Sequence, residues 1–514
     1  MPSTVRTWIG FVAMCLGMSL AVLDIQIVAS SFTTIQHSFN TTPERLSWIQ
    51  TGYLMAEVIA IPLTGWLTRA LSLRWMFAAA TLGFTLASVA CAACTALPPF
   101  IALRVVQGFC GGMLIPGVFT SVFVMMPEKH RVAATALAGT LAVIAPTIGP
   151  AIGGYLTEYY SWHWIFLINL VPGLLVSVVV ANFVRLGVPD HTELRRIDYS
   201  AIALAAVFLA TLELVLTEAP KYDWQGPFVL VSIVVCVVTG TGAIWRSLYS
   251  PHPFVDLYRF QERTFTLGCV LSFVLGLGLY GSVYLLALFL GLVREHSPWE
   301  IGTIMIVSGA AQLLTAPVAA LLEARIDPRL LTAFGYSLFA AGLIANGFGS
   351  TTTDYDGLFW PQVLRGASVM LCILPATRLA LDTLNPAGVA DGSALFNLMR
   401  NLGGAIGIAL VDTILEQRTP VHAVALAARL QHGDADTARL VGLPSEYLPF
   451  FQGQEMPTVS DAMHAQFEPL VRKAALVQSF NEAWIVIGVL FALSLLVVPF
   501  MRLRKSAMGP GTLA

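Results

Sequence analysis

Long apolar runs separated by short polar segments dominate the sequence. Each run is long enough to cross the ~30 Å hydrocarbon core of a bilayer as a helix, which takes about 20 residues. Only 11% of the residues are charged, against about 25% in soluble domains, and this excludes a water-soluble enzyme. We therefore predict an all-α polytopic membrane protein with fourteen spans. The runs lie at about residues 8–30, 47–68, 75–95, 99–122, 132–156, 163–185, 199–218, 226–246, 265–291, 299–322, 329–349, 358–380, 390–414 and 482–501.

Basic residues indicate how the spans are oriented. With the N-terminus inside, the short inward segments hold 17 of the 28 Lys and Arg residues, whereas the short outward loops hold only Arg45, Lys221 and Arg294. Short loops rich in Lys and Arg remain on the cytoplasmic side. Because an even number of spans returns the chain to the side on which it began, we expect both termini to be cytoplasmic.

Two charged inward segments, near residues 185–198 and 246–263, divide the chain into six, two and six spans. We predict a first six-helix half at 1–187, two linking helices at 188–250 and a second half at 251–514. An internal repeat supports the division, since Gln107-Gly108 in the fourth span matches Arg365-Gly366 in the fourth span of the second half. Internal repeats are common in transporters.

One connection is much longer than the others, the outward loop 415–481. Within it, residues 464–480 place apolar side chains at an amphipathic helical spacing. We expect a helix that lies on the outer surface before the last span.

Ionisable residues inside spans cost about 2.5–3.5 kcal/mol each on insertion scales, so they are usually functional. Asp24 and Arg104 lie at similar depths and can pair, either as a structural salt bridge or as a proton-releasing carboxylate beside a cation. Glu57 lies near the middle of span 2. It is either a proton carrier or a protonated group that donates one hydrogen bond. We expect lesser roles for Glu213, in the extra spans, and for Asp412, near the surface.

Substrate-binding candidates are polar residues on the inner spans. Arg400, beside Asn397 and Asn401, can hold an anionic group or pair with an acid; Arg365 and Gln107 complete the set.

Span 5 carries a run of proline and glycine residues, which gives a kinked and closely packed helix suited to a hinge. The residues concerned are Pro146, Gly149, Pro150, Gly153 and Gly154.

No phosphate-binding Gly-x-x-x-x-Gly-Lys motif and no metal-ligand spacing occurs in the sequence. This disfavours ATP-driven pumping. We expect no cofactor, no metal and an ion gradient as the energy source.

Several of these motifs resemble a known family. Gly149-Pro150-x-x-Gly153-Gly154 is similar to the span 5 signature of antiporters, Arg104-x-x-Gln107-Gly108 to a span 4 motif linked to proton coupling, and Leu23-Asp24 to a span 1 motif. Together they resemble the fourteen-span drug:proton antiporters of the major facilitator superfamily. The resemblance implies the major facilitator fold and links Arg104 to proton coupling. Asp24 and Glu57 are the proton-coupling candidates that their positions inside the spans indicate.

The loop after span 2 departs from the family pattern. The superfamily normally has Gly-x-x-x-Asp-Arg-x-Gly-Arg there, whereas this chain runs from Gly65 to Arg74 with Arg69 at the Asp position and Ser72 at the second Gly. We expect a gating loop formed by Gly65, Arg69 and Arg74, without the usual salt bridge from that Asp.

A basic residue at that position is similar to the multidrug-resistance B-type subunits of tripartite efflux pumps. This implies a bacterial inner-membrane exporter of hydrophobic or weakly acidic drugs, with protons, a periplasmic adaptor, an outer-membrane channel and the lipid bilayer as partners, and no nucleic acid. A lipid or siderophore exporter on the same scaffold remains an alternative, as does a membrane-embedded sensor or enzyme.

Overall fold

The fold was analysed in a computed structural model, which describes residues 3–41, 43–184, 189–190, 192, 198–222, 224–250, 253, 255–323, 325–382, 384, 388–432, 434–443 and 461–501. These residues form helices and no β-strand. The α-helices are α1 (Ser3–Ser30), α2 (Phe32–Phe39), α3 (Pro43–Ala92), α4 (Leu97–Gly112), α5 (Leu114–Met125), α6 (Glu128–Tyr159), α7 (Trp164–Leu167), α8 (Leu170–Phe183), α9 (Tyr199–Glu218), α10 (Pro227–Tyr249), α11 (Arg263–Leu292), α12 (Pro298–Glu323), α13 (Pro328–Asn346), α14 (Tyr355–Leu381), α15 (Val389–Gln431), α16 (Ala435–Val441) and α17 (Asp461–Ser494). Short 3₁₀ helices lie at Ala219–Tyr222, Leu257–Gln261 and Leu495–Phe500.

Twelve helices in the described part of the chain are long and apolar enough to cross a membrane. One of them, Trp48–Ala92, has 45 residues, about twice the length that one crossing needs. Its backbone leaves the helical conformation at Ser72, with φ 70 and ψ 152, between predicted spans 2 and 3. The fifth apolar run forms α6, which is not among the twelve. The fold is thus the expected all-α membrane bundle, and it is consistent with fourteen spans, a count that stays a prediction.

Contacts between the two predicted halves repeat with the halves exchanged. α3 packs against α15, and α6 packs against α12. The first contact joins the second span of one half to the fifth span of the other, and the second contact joins the fifth to the second. A two-fold relation between the halves produces this pairing. One large cluster of buried side chains lies mainly in the first half and a second lies mainly in the second half, and both include residues from the other half.

Close helix packing at two glycines follows the sequence repeat. A Cβ atom at Gly108 would overlap the Tyr53 carbonyl oxygen, and a Cβ atom at Gly366 would overlap the Ser308 carbonyl oxygen. In both halves the fourth span therefore approaches the backbone of the second span at the glycine that the repeat aligns. Only glycine permits this approach, because any side chain would occupy the space of the carbonyl group.

The linking helices α9 and α10 pack against each other, and α9 also packs against α3 and α15. α10 lies on the outside, where valines such as Val231, Val234 and Val238 are exposed. An apolar exposed face is the normal surface of a helix in contact with lipid.

The long outward segment is mainly a continuation of two span helices. α15 has 43 residues and is about 65 Å long at 1.5 Å per residue, more than twice the ~30 Å apolar core. Its outer end packs with α16 and α17 through buried residues that include Leu426, Leu430 and Val471. Residues 464–480 are helical as expected, but our prediction of a separate helix on the surface is wrong, because α17 continues unbroken into the last span. Residues 444–460 lie outside the described part.

Candidate functional site

Asp24 on α1 and Arg104 on α4 form an ion pair whose side chains are both 0% exposed. Arg104 Nη1 donates a hydrogen bond of 2.5 Å to Asp24 Oδ2. The other carboxylate oxygen, Oδ1, accepts from Gln107 Nε2 at 3.0 Å and from Asn169 Nδ2 at 2.9 Å. The predicted pairing is thus present, and both oxygens of the carboxylate are occupied by donors.

Ser88 connects the amide groups around this pair. Its Oγ accepts from Gln107 Nε2 and Asn169 Nδ2 and donates to the Phe166 carbonyl oxygen. The Arg104 guanidinium also lies 4.3 Å from the Tyr53 ring centroid. A buried ion pair is stable only when such additional hydrogen bonds offset the loss of water around both charges. Protonation of Asp24 would remove an acceptor and leave Arg104 without a counter-ion, so the network responds strongly to one proton.

Sequence reasoning missed Ser88 and Asn169, although both are polar residues inside predicted spans. It also assigned Gln107 to substrate binding, whereas the structure places Gln107 in the Asp24 network, in contact with Asp24 and Arg104.

Glu57 lies at the interface between the predicted halves. Its side chain is buried, and Oε1 accepts a hydrogen bond of 3.5 Å from Asn401 Nδ2 on α15. Asn401, predicted to contact substrate, therefore contacts the predicted proton carrier. Glu57 is therefore held by a residue of the opposite predicted half.

Arg400 is buried between two aromatic rings, 5.4 Å from the Phe119 centroid and 5.3 Å from the Phe396 centroid. No carboxylate within the described residues pairs with it, and Nε and Nη2 lack hydrogen-bond partners there. The neighbouring Asn397 donates to the Ser393 carbonyl oxygen, while its Oδ1 has no partner among those residues. Arg400 thus offers an unneutralised positive charge beside apolar rings.

Arg365 lies on the fourth span of the second half, at the position that the repeat aligns with Gln107. Nη1 donates to Ser282 Oγ at 3.0 Å and Nη2 to Ser308 Oγ at 3.1 Å. Both partners are neutral, and within the described ranges no acid forms an ion pair with Arg365. Among the described residues, the fourth span of the first half thus carries a cation paired with an acid, Arg104, whereas the fourth span of the second half carries Arg365 without an acid.

The gating loop contains an ion pair of a kind that the sequence did not predict. Arg69 Nη1 donates to Asp391 Oδ1, at the start of α15, and a Cβ atom at Gly65 would overlap the same carboxylate. Arg69, which stands where the family normally has Asp, therefore pairs with an acid from the other half. The basic member of this pair lies in the first half and the acidic member in the second half. Arg74 does not join this pair, and its guanidinium lies 4.6 Å from the Trp75 ring centroid.

A second ion pair joins the halves on the same predicted cytoplasmic side. Arg131 Nη1 lies 3.5 Å from Asp382 Oδ1, and Arg378 also contacts Asp382. Burial raises the pKa of Asp382, against the opposing attraction of the Arg378 and Arg131 guanidiniums. The inward ends of the two halves are therefore in contact.

α6 is continuous through the predicted hinge. A Cβ atom at Gly149 would lie 2.6 Å from Gln26 Cβ on α1, so the close packing expected of this run is present. Gly153 is buried and Gly154 is half-buried, while the side chains of Pro146 and Pro150 lie outside the described ones. Hinge motion itself stays a prediction.

Two acids that sequence reasoning set aside are not simply solvated. Asp412 Oδ1 accepts a hydrogen bond of 2.8 Å from the Tyr284 hydroxyl. Glu213 is buried. Its burial follows from the packing of Leu209, one helical turn earlier, onto α3 and α15, which the sequence does not reveal.

Comparison with known proteins gives consistent matches. The family model described as Major Facilitator Superfamily matches residues 14–408. "Colistin resistance protein EmrB" of Acinetobacter baumannii is 35% identical over 503 residues, which cover 97% of each chain. "Multidrug export protein EmrB" of Escherichia coli is 30% identical over 413 residues, 80% of each chain.

Among solved structures, that of the human organic anion transporter MFSD10 (TETRAN) matches with a TM-score of 0.60 at 13% identity, covering 97% of this chain and 100% of the other. At this identity the likeness concerns the fold alone. With a family model that matches most of the chain, relatives at 30% identity or more, and the helical bundle described above, the chain belongs to the major facilitator superfamily.

Proposed function

We propose that this protein is a proton-coupled exporter of hydrophobic or weakly acidic drugs in a bacterial inner membrane. The observation that carries the proposal is the Asp24–Arg104 pair, fully buried and surrounded by amide donors. Relatives named for multidrug export and colistin resistance support the direction and the class of cargo.

Proton coupling requires a group whose proton affinity changes as the protein changes conformation. Asp24 meets the requirement because a proton on its carboxylate releases Arg104 inside the first half. Glu57 meets it at the interface, where Asn401 of the second half contacts its carboxyl group. One acid thus acts on packing within a half and the other on packing between halves.

Arg400 and Arg365 suit the substrate. Both guanidiniums are buried without an acid to neutralise them in the described part, and Arg400 adds two aromatic faces. A cation between rings attracts an amphiphile that carries an anionic group and an apolar body. A weakly acidic hydrophobic drug has both of these features.

Both termini are cytoplasmic in this proposal, in accord with the distribution of basic residues. The helical hairpin formed by the outer ends of α15 and α17 with α16 then faces the periplasm. It is the part that would contact a periplasmic adaptor, which in turn leads to an outer-membrane channel.

The test measures drug-induced proton release by the purified protein in proteoliposomes with a pH-sensitive dye. Equilibrium drug binding is measured in parallel. Asn and Gln imitate the protonated carboxyl, so Asp24→Asn and Glu57→Gln should abolish proton release while drug still binds. Asp434→Asn, at a half-buried helix-capping residue of the hairpin, serves as the control and should retain release. Wild-type proton release in both Asp24→Asn and Glu57→Gln would show that coupling resides elsewhere.

A further inference from the structure

The linking helix α9 is in direct contact with the interface between the two halves. Its Leu209 packs with Val58 and Ile61 of α3 and with Leu398 of α15 in one buried cluster. α9 therefore covers the line where the second span of one half meets the fifth span of the other. Glu57 and Asn401 lie within a turn of this cluster.

Glu213 follows Leu209 by four residues, so the two side chains share one face of α9. The structure buries Glu213, with only 5% of the residue exposed. Glu57 precedes Ile61 by four residues and so shares its face of α3, one turn from the contact between Ile61 and Leu209. The linking helix thus directs an acid toward the predicted proton carrier rather than toward lipid.

We propose that Glu213 and Glu57 form a two-carboxylate proton-binding site, completed by the Asn401 amide, in which the linking helix supplies the second acid. The inference rests on the proposed proton coupling, and it adds a residue and an element to it. It assigns α9 a part in energy coupling, beyond filling space between the halves.

Two carboxylates that interact closely in a buried site do not both ionise, and they titrate as a pair. The charged and titratable groups near Glu57 are Tyr53, one turn away on α3, Arg104 on α4, Tyr280 on α11 and Glu213 on α9. Arg400 on α15 lies near Tyr280. Of the two cations, Arg104 is already bound to Asp24, and Arg400 lies between aromatic rings. The pair must therefore be neutralised by protons.

The pair consequently provides two places for protons taken up from outside and released inside. When α3 moves relative to α15, Glu57 loses Asn401 and the two acids separate. Each acid can then ionise and release its own proton, which the close pair does not allow. Drug binding and proton release are thereby linked through the contact between the halves.

The experiment compares full-length wild type with Glu213→Gln, a substitution of nearly equal volume. Protons released per drug bound are counted in weakly buffered detergent solution, and the carboxylic C=O band is recorded by infrared difference spectroscopy on drug addition. If each acid of the pair contributes one proton, Glu213→Gln should reduce the count attributable to the pair by about half and remove one band component. Drug binding should persist, and Glu213→Asp should restore part of the released protons.

The matched control is Glu218→Gln on the same helix, because Glu218 forms a surface ion pair with Lys221 and should leave the proton count unchanged. Wild-type counts and bands in Glu213→Gln would overturn the inference and leave the proposed function intact, provided that Glu57→Gln still loses release. An absence of release in wild type itself would refute both. If Glu213→Gln does not fold, Glu213→Asp is compared with wild type at several pH values. Proton counts and a carboxylic C=O band that equal those of wild type at every pH would equally overturn the inference.

Discussion

Replacing Asp391 by asparagine removes the negative charge that holds Arg69 across the two halves. Charge-assisted hydrogen bonds contribute about 1.5–3 kcal/mol, whereas fully exposed ion pairs contribute about 0.2–1 kcal/mol. Here the side chain of Asp391 is 9% exposed and that of Arg69 is 31% exposed, so the contribution lies between these ranges. We take about 1.4 kcal/mol, equivalent to a tenfold change in an equilibrium constant.

The equilibrium concerned is the opening of the predicted cytoplasmic side, because the pair joins α3 of one half to α15 of the other. Asp391→Asn should therefore increase the population with separated inward ends about tenfold. Fluorescent labels at cysteines replacing the exposed Trp75 and Leu330, one in each half, report the distance between those ends by single-molecule energy transfer.

Exchanging the charges, with Arg69→Asp and Asp391→Arg together, should restore much of the closed population because the attraction is rebuilt. Arg246→Ala, which breaks a surface pair with Asp198 in the linking helices, should not alter the distances. An unchanged distribution in Asp391→Asn would refute the reasoning, since the pair would then contribute nothing to closure.

Three further outcomes are expected. Ser72→Gly should raise the melting temperature, because Ser72 holds a backbone conformation that is essentially restricted to glycine and costs about 1–3 kcal/mol; Ser232→Gly inside α10 should lower it. Although burial opposes it, hydrogen bonds from His296 and Arg294 hold the pKa of Asp354 below its usual value. Its stabilisation is therefore present at neutral pH and lost below about pH 4, and Asp354→Asn should flatten that part of a melting-temperature profile against pH. Deleting residues 425–455 should weaken crosslinking to an adaptor and spare proton release in vesicles, whereas equal loss of both would contradict a docking role.

The sequence alone determined the class of fold and the depth of the buried charges. Apolar runs of about 20 residues have one stable solution in a bilayer, since a helix satisfies its own backbone hydrogen bonds. Counting residues from the ends of the runs also placed Asp24 and Arg104 at one depth. That was sufficient to predict their pairing.

Tertiary structure decided everything that depends on the direction in which a helix faces. Hydropathy reports depth along the membrane normal, but it does not report rotation about the helix axis or the identity of neighbouring helices. The partner of Arg69 is 322 residues away. Ser88 joins the Asp24 network from α3 and Asn169 from the N-cap of α8. The sequence predicted only a lesser role for Glu213 because its helix lies outside both predicted halves. The packing of α9 onto α3 and α15 buries Glu213. A buried acid is stable only beside other polar groups or in its protonated form.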